Sequence, residues 1–182
     1  MDRNALRRAS RGRRARRNLE TSSKWMRLPT PPKASQARLQ RLCPAHLFLR
    51  YYANHQLVAW QPQGMLDDRM LNDIAEWLVD VEKVARPFKR FVDFSKLTEV
   101  AIHTGHVFDF AQRRAKQLVG VKTVRTALFC EDLVGFLIAL LYEELMKNTP
   151  IQARAFRELA KAAVWLNVPV EILRLKDKPM PP

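Results

Sequence analysis

PFKRFVDFS, residues 87–95, is the stretch of sequence from which the fold is predicted. Phe91, Val92 and Phe94 form a short apolar run, and Pro87 and Ser95 bound it. A short apolar run between such punctuating residues predicts a fully buried strand. Strands buried on both faces are typical of parallel sheets that helices cover on both sides.

Strands and helices are predicted to alternate around this stretch. Upstream, 57–60 predicts a strand, Pro62 a strand end or an edge, and Gly64 a bulge or turn. A helix with Asp67 or Asp68 as its N-cap follows over 70–84, because apolar residues recur there three and four positions apart. Downstream we predict a very short strand or an extended turn at 100–102, strands at 124–130, 153–156 and 170–173, and helices at 104–118, 133–146 and 158–166. This order predicts one α/β domain with a mainly parallel sheet of four or five strands and about four helices.

The helix at 104–118 is predicted to begin at Thr104 as its N-cap and to stop at Gly120. Its inward-facing residues are predicted to be Val107, Phe108, Ala111, Ala115 and Leu118. The helix at 158–166 is predicted to turn Leu159, Ala163 and Leu166 inward.

The positive charge is concentrated at the start of the chain. The formal net charge is +14, and the first fifty residues carry 14 Lys/Arg against 2 Asp/Glu. Residues 1–45 are predicted to be a disordered basic tail, 46–174 the folded domain, and 175–182 a loose C-terminal tail. Three interpretations of the first tail stay open: a solvated tail, an arm that binds nucleic acid or anionic lipid, and an artefact of an upstream start codon, with the true start near Leu47.

The cysteines and histidines predict no metal site or disulfide framework. Cys43 and Cys130 are far apart, and Cys130 is expected to be a reduced thiol in the core. His103 and His106 have helical spacing, but no third ligand follows in a recognisable pattern, so surface histidines are favoured. Glu143 and Glu144 are expected to lie on a solvated face. We predict no enzyme and no cofactor, because no catalytic set of residues converges in the sequence.

Four stretches taken together resemble the bacterial SpoIIAA-like proteins, which are also described as STAS/SEC14-like. The resemblance covers about residues 50–173 and rests on LVAWQPQGML (57–66), RFVDFSKLTEV (90–100), ALFCEDLVGFLIALLYE (127–143) and ARAFRELAKAAVWL (153–166). It implies the STAS/SpoIIAA-like α/β fold. The resemblance implies architecture more than function. Our own functional hypothesis is a cytoplasmic interaction or regulatory module, for which we expect a protein partner or self-association.

The resemblance also implies a candidate partner loop or phosphate acceptor. In the antagonist proteins of this fold, a serine in a loop after the matching strand is phosphorylated by a partner kinase. Here Asp93 and Ser95 end the strand, and Thr104 with Gly105 falls near the place of that serine. The acidic residue of the family motif is missing, so Thr104 is favoured as a plain helix cap. Asp93 and Ser95 are favoured as ordinary turn residues at a strand end.

The helix at 133–146, LVGFLIALLYEELM, is apolar over more than one face. Such a helix has to be covered on more than one side, and it is too short to span a bilayer. Three arrangements would cover this helix: burial in the core, contact with a second copy or a partner, or a position over a bound hydrophobic ligand. The candidate residues for a ligand or dimer surface are Phe136, Leu137, Leu140 and Leu141.

Three functional hypotheses follow from the sequence as a whole. The first is a non-enzymatic interaction module, the second is a carrier of a lipid-like ligand under this helix, and the third is nucleic-acid association through the basic tail.

Overall fold

The buried strand predicted around Phe91 lies at the centre of a five-stranded sheet in the computed structural model, which describes residues 34–118 and 123–175. The strands are β1 (Leu47–Tyr52), β2 (Leu57–Pro62), β3 (Gly64–Asp67), β4 (Lys89–Asp93), β5 (Leu97–Ala101), β6 (Val124–Phe129) and β7 (Ile151–Phe156). The helices are α1 (Ala34–Leu42), α2 (Asp68–Ala85), α3 (Thr104–Gln117), α4 (Leu133–Met146) and α5 (Leu159–Leu166). Short 3₁₀ helices occupy Ala53–His55 and Val170–Leu173.

The main sheet has the order β1-β2-β4-β6-β7. β1 runs antiparallel to β2, and the other neighbours are parallel. A separate two-stranded parallel sheet pairs β3 with β5, with a shift of register between Gly64 and Met65. This shift is a bulge, one of the two alternatives predicted at Gly64, and Gly64 has φ +90°, a conformation that favours glycine. The mainly parallel α/β architecture predicted from the sequence is also confirmed.

Both faces of the sheet are covered, because successive residues of the inner strands point to opposite sides. Val92 of β4 packs into the larger core on the side of helices α1–α4. Its neighbour Phe91, completely buried, packs into the smaller core under α5 and stacks with Phe129 at 6.3 Å between ring centroids. In the larger core the Trp60 and Trp77 rings meet edge to face at 5.5 Å. Such pairs contribute about 0.5–1.5 kcal/mol beyond their buried area.

The expectation that residues 1–45 form a disordered tail is wrong for its last part. Residues Ala34–Leu42 form helix α1, and its Leu39 is completely buried in the larger core. Strand β1 was also missed: Leu47–Tyr52 alternates buried and half-buried residues at the edge of the sheet. β2 is consequently an inner strand, so Pro62 marks its end and not an edge. The predicted features at 1–33, Gly120 and 176–182 lie outside the described residues.

Three local predictions are wrong. His103 holds the N-cap position of α3, and Thr104 is the first helical residue. On α3 the exposed Phe108 was predicted to face inward, whereas Phe110 and Arg114 do so. The burial of Arg114 follows from an ion pair that the helical pattern does not reveal. Val170–Leu173 is a 3₁₀ helix that buries Leu173, and not an edge strand.

The two cysteines are the basis of a prediction about reactivity. Burial raises the pKa of the Cys43 thiol to about 11, and burial with nearby Asp132 and Asp93 raises that of Cys130 to about 12. Because the thiolate is the reactive form, we expect both thiols at pH 8 to react with a disulfide reagent at least roughly 100-fold more slowly in the folded chain than in urea. Rapid labelling of Cys130 in the native protein would contradict its placement in the core.

Candidate functional site

Helix α4 starts at a well-formed cap, which fixes the orientation of its apolar residues. The Asp132 Oδ1 accepts a hydrogen bond of 2.7 Å from the Gly135 backbone N–H, so Asp132 is the N-cap of α4. A side chain at position 135 would bring its Cβ within 2.7 Å of the Asp132 Oδ2, which explains the glycine there. The buried face of the helix then consists of Gly135, Ala139, Tyr142 and Met146.

The opposite face of α4 presents an apolar stripe to solvent. Its members, the α4 stripe hereafter, are Leu133, Val134, Leu137 and Leu140, which are 61%, 55%, 55% and 39% exposed. They recur at intervals of one, three and three residues, so they lie along one side of the helix. The sequence contains no charged residue from Leu133 to Tyr142.

The predicted surface residues of α4 divide between the stripe and its flank. Leu137 and Leu140 belong to the stripe, whereas Phe136 and Leu141 are half-buried. The guanidinium of Arg157 lies 5.9 Å from the centroid of the Phe136 ring, which gives the apolar surface a basic margin. Glu143, expected on a solvated face, accepts a hydrogen bond of 2.7 Å from the Ala155 N–H of edge strand β7.

A cavity of about 70 Å³ lies behind α4. The residues that α4 contributes to its wall are Ile138, Ala139 and Tyr142, and none of the four predicted ligand residues lines it. Pockets for drug-sized ligands have volumes of about 300–1,000 Å³. The cavity therefore has room for water-sized groups and not for a lipid chain.

Arg90, which lines this cavity, belongs to a buried ionic group, the Glu82 centre, formed by Glu82, Arg90 and Arg114. The Glu82 Oε1 accepts hydrogen bonds from both guanidiniums, and Arg114 also donates to the Gln117 Oε1 at 2.6 Å. Arg114 is completely buried and Arg90 nearly so, while 17% of the Glu82 side chain is exposed. Burial lowers the pKa of Arg90 to about 10, although Glu82 opposes the shift.

Asp93 and Ser95 lie together at the carboxyl end of central strand β4, as predicted. The Asp93 carboxylate is buried and accepts hydrogen bonds from the Gln61 Nε2 at 2.8 Å and from the Ser95 N–H at 2.9 Å. The Gln61 Nε2 also donates to the Ser95 Oγ at 3.3 Å. Ser95 is an exposed residue, so it is accessible from solvent beside a fixed carboxylate.

Thr104 is exposed at the start of α3 and takes no part in these hydrogen bonds, which join Asp93, Ser95 and Gln61. The structure instead brings Asp68 next to His103 and His106, with their nearest side-chain atoms 2.6 and 3.1 Å apart. A carboxylate that the sequence pattern did not reveal therefore lies beside the two histidines. It comes from a helix 35 residues earlier in the chain.

No known family model matches the chain, and no curated protein matches it. Among solved structures, an uncharacterized protein from the DUF3478 family with a SpoIIAA-like fold from Shewanella loihica PV-4 is similar, with 15% identity and a TM-score of 0.44. That match covers 66% of this chain and 91% of that one. The anti-sigma factor antagonist SpoIIAA in its unphosphorylated form is similar with 12% identity and a TM-score of 0.40, covering 65% of this chain and 94% of that one.

Both similar structures are SpoIIAA or SpoIIAA-like in fold, in agreement with the resemblance predicted from the sequence, and each match covers about two-thirds of this chain. At such identities and TM-scores, the function has to be argued from this chain's own surfaces. Among the helices in 34–118 and 123–175, none is long and apolar enough to cross a membrane.

Proposed function

We propose that this chain is a non-enzymatic protein-interaction module that regulates by contact, and that the α4 stripe is its binding surface. The observation that supports the proposal is the exposure of four large apolar side chains in a row on one helix. Single exposed apolar residues are normal on soluble proteins, whereas a contiguous set marks a contact surface. Completing the burial of each half-exposed Leu or Val contributes about 1 kcal/mol to binding.

The partner that we propose for the α4 stripe is a second copy of this chain. A two-fold interface uses the same patch on both subunits, so the patch must be complementary to itself. The stripe itself meets this condition, because none of its four residues is charged. A standard interface buries about 20–30 residues on each side. Four stripe residues with their flank are fewer, so we expect a weak dimer that forms only as concentration rises.

Replacing Leu137 by Glu in the full chain is expected to abolish this self-association. A carboxylate in the middle of the stripe would have to lose its hydration on dimer formation. Sedimentation velocity over a wide concentration range should show a rising sedimentation coefficient for the wild type and a constant monomer value for L137E. Circular dichroism should show the same helix content for both.

Val164→Glu is the matched control for this experiment. Val164 is 81% exposed on α5, which covers the other face of the sheet, so V164E should self-associate as the wild type does. A wild-type chain that stays monomeric at every concentration contradicts the dimer. Equal loss of association in L137E and V164E contradicts the assignment of the surface to α4.

Control of this interaction by phosphorylation remains a further part of the proposal. Ser95 and Thr104 are both exposed, and Thr104 lies at a helix N-terminus, where free N–H groups favour a phosphate.

The lipid-carrier hypothesis is not proposed as a second function, because the cavity behind α4 is too small. Most of the basic segment that would associate with nucleic acid lies outside the described residues.

A further inference from the structure

The small β3–β5 sheet places the starts of two helices side by side. In this sheet Asp67 pairs with Ala101, which are the last residues of the two strands. Helix α2 begins with Asp68, and His103 holds the N-cap position of α3. Pairing of the strands therefore brings the Asp68 side chain against the histidines of the second helix start.

We propose that Asp68, His103 and His106 bind a divalent transition-metal ion such as Zn²⁺. The Asp68 Oδ2 lies 2.6 Å from the His103 Nδ1 and 3.1 Å from the His106 Nδ1, and one ligand atom from each residue lies within 4.8 Å of the others. Ligand atoms bound tetrahedrally to zinc at 2.0–2.1 Å lie roughly 3.3 Å from each other. Small side-chain rotations would therefore suffice to close the site around an ion.

The backbone already orients the carboxylate toward the two rings. The His103 N–H donates a hydrogen bond of 3.1 Å to the Asp68 Oδ1. This bond fixes one carboxylate oxygen and leaves the other directed at both imidazoles. Hydrogen bonds of this kind hold metal ligands in place and strengthen binding.

The ligand set indicates which class of ion is bound. Two imidazole nitrogens and one carboxylate oxygen suit Zn²⁺, Co²⁺ or Ni²⁺, whereas Mg²⁺ and Ca²⁺ prefer oxygen ligands alone. Three protein ligands leave a fourth position open to water or to another molecule. The His103 side chain is 83% exposed, so ions can enter from solvent. The positive ends of two helix dipoles oppose a cation here, and the Asp68 charge has to offset them.

The test is a titration of the untagged, chelator-treated full chain with Co²⁺, followed by its visible absorption, and with Zn²⁺, followed by calorimetry. The expected result is one bound ion per chain, with a d–d spectrum of imidazole and carboxylate coordination and no thiolate band. His103→Ala, His106→Ala and Asp68→Asn should each weaken binding by at least about 100-fold. His103 is largely exposed, so H103A should keep the wild-type fold by circular dichroism.

His55→Ala is the matched control, because His55 lies in the first 3₁₀ helix, outside the cluster. It should bind Co²⁺ with the wild-type affinity and spectrum. Absence of binding to the wild-type chain would overturn the proposal, as would binding that survives both H103A and H106A. The site does not depend on the α4 stripe, so L137E should bind the metal as the wild type does.

Discussion

Glu82→Gln is expected to destabilise the chain by about 3–5 kcal/mol, because it leaves two buried guanidiniums without a counter-charge. Arg90 and Arg114 both donate to the Glu82 Oε1, and they are 2% and 0% exposed. The Nε atoms of both arginines have no hydrogen-bond partner among the described residues, so Glu82 is their principal compensation. An amide of the same shape keeps the packing and removes the charge. Urea unfolding followed by far-UV circular dichroism measures the change.

The control for this variant is Glu76→Gln, an exposed glutamate on the same helix. It should change the free energy of unfolding by less than about 0.5 kcal/mol. Replacing the whole Glu82 centre by apolar residues (E82L, R90M and R114L together) should recover most of the stability lost in E82Q, because no unpaired charge then remains. A loss below 1 kcal/mol in E82Q would contradict the buried ionic centre.

Leu39→Ala is expected to destabilise the chain by about 2–5 kcal/mol. Leu39 lies in helix α1 and is completely buried in the larger core, although its surroundings in the sequence are basic and polar. Removing three of its side-chain carbons leaves a cavity between α1 and the rest of the core. The measurement is again the free energy of unfolding of the full chain in urea.

Leu42→Ala provides a comparison within the same helix. Leu42 is 38% exposed, so the same chemical change should destabilise the chain by less than about 1 kcal/mol. If L39A and L42A had equal and small effects, helix α1 would not be part of the core, and the expectation of a disordered tail up to residue 45 would be restored.

The sequence predicts most of the fold, because its inner elements carry strong apolar patterns. The helix Leu133–Met146 was located to the residue, and the strand around Phe91 was located to within two residues at each end. Strand β1 and helix α1 were missed for a physical reason. Both lie at the margin of the core, where alternating burial and a single buried leucine give a weak signal against a highly charged background.

Only those parts of the candidate site that are formed by residues close together in the sequence could be predicted. The apolar character of α4 and the position of Asp93 and Ser95 at a strand end follow from local pattern. The partners of His103 and Arg114 do not, because Asp68 and Glu82 lie more than thirty residues earlier in the chain. Only the pairing of β3 with β5 and the packing of α2 on α3 bring these groups together.

Thiol cross-linking at position 137 tests the proposed interaction surface most directly. Leu137 lies in the middle of the α4 stripe, so the two copies of residue 137 should approach each other across a two-fold axis. Cys43 and Cys130 have raised pKa values and should contribute little background. With a short bismaleimide, the full chain carrying Leu137→Cys should form a covalent dimer, and Val164→Cys should stay at the wild-type background. Equal cross-linking of L137C and V164C, or none in L137C, would contradict the α4 stripe as the contact surface.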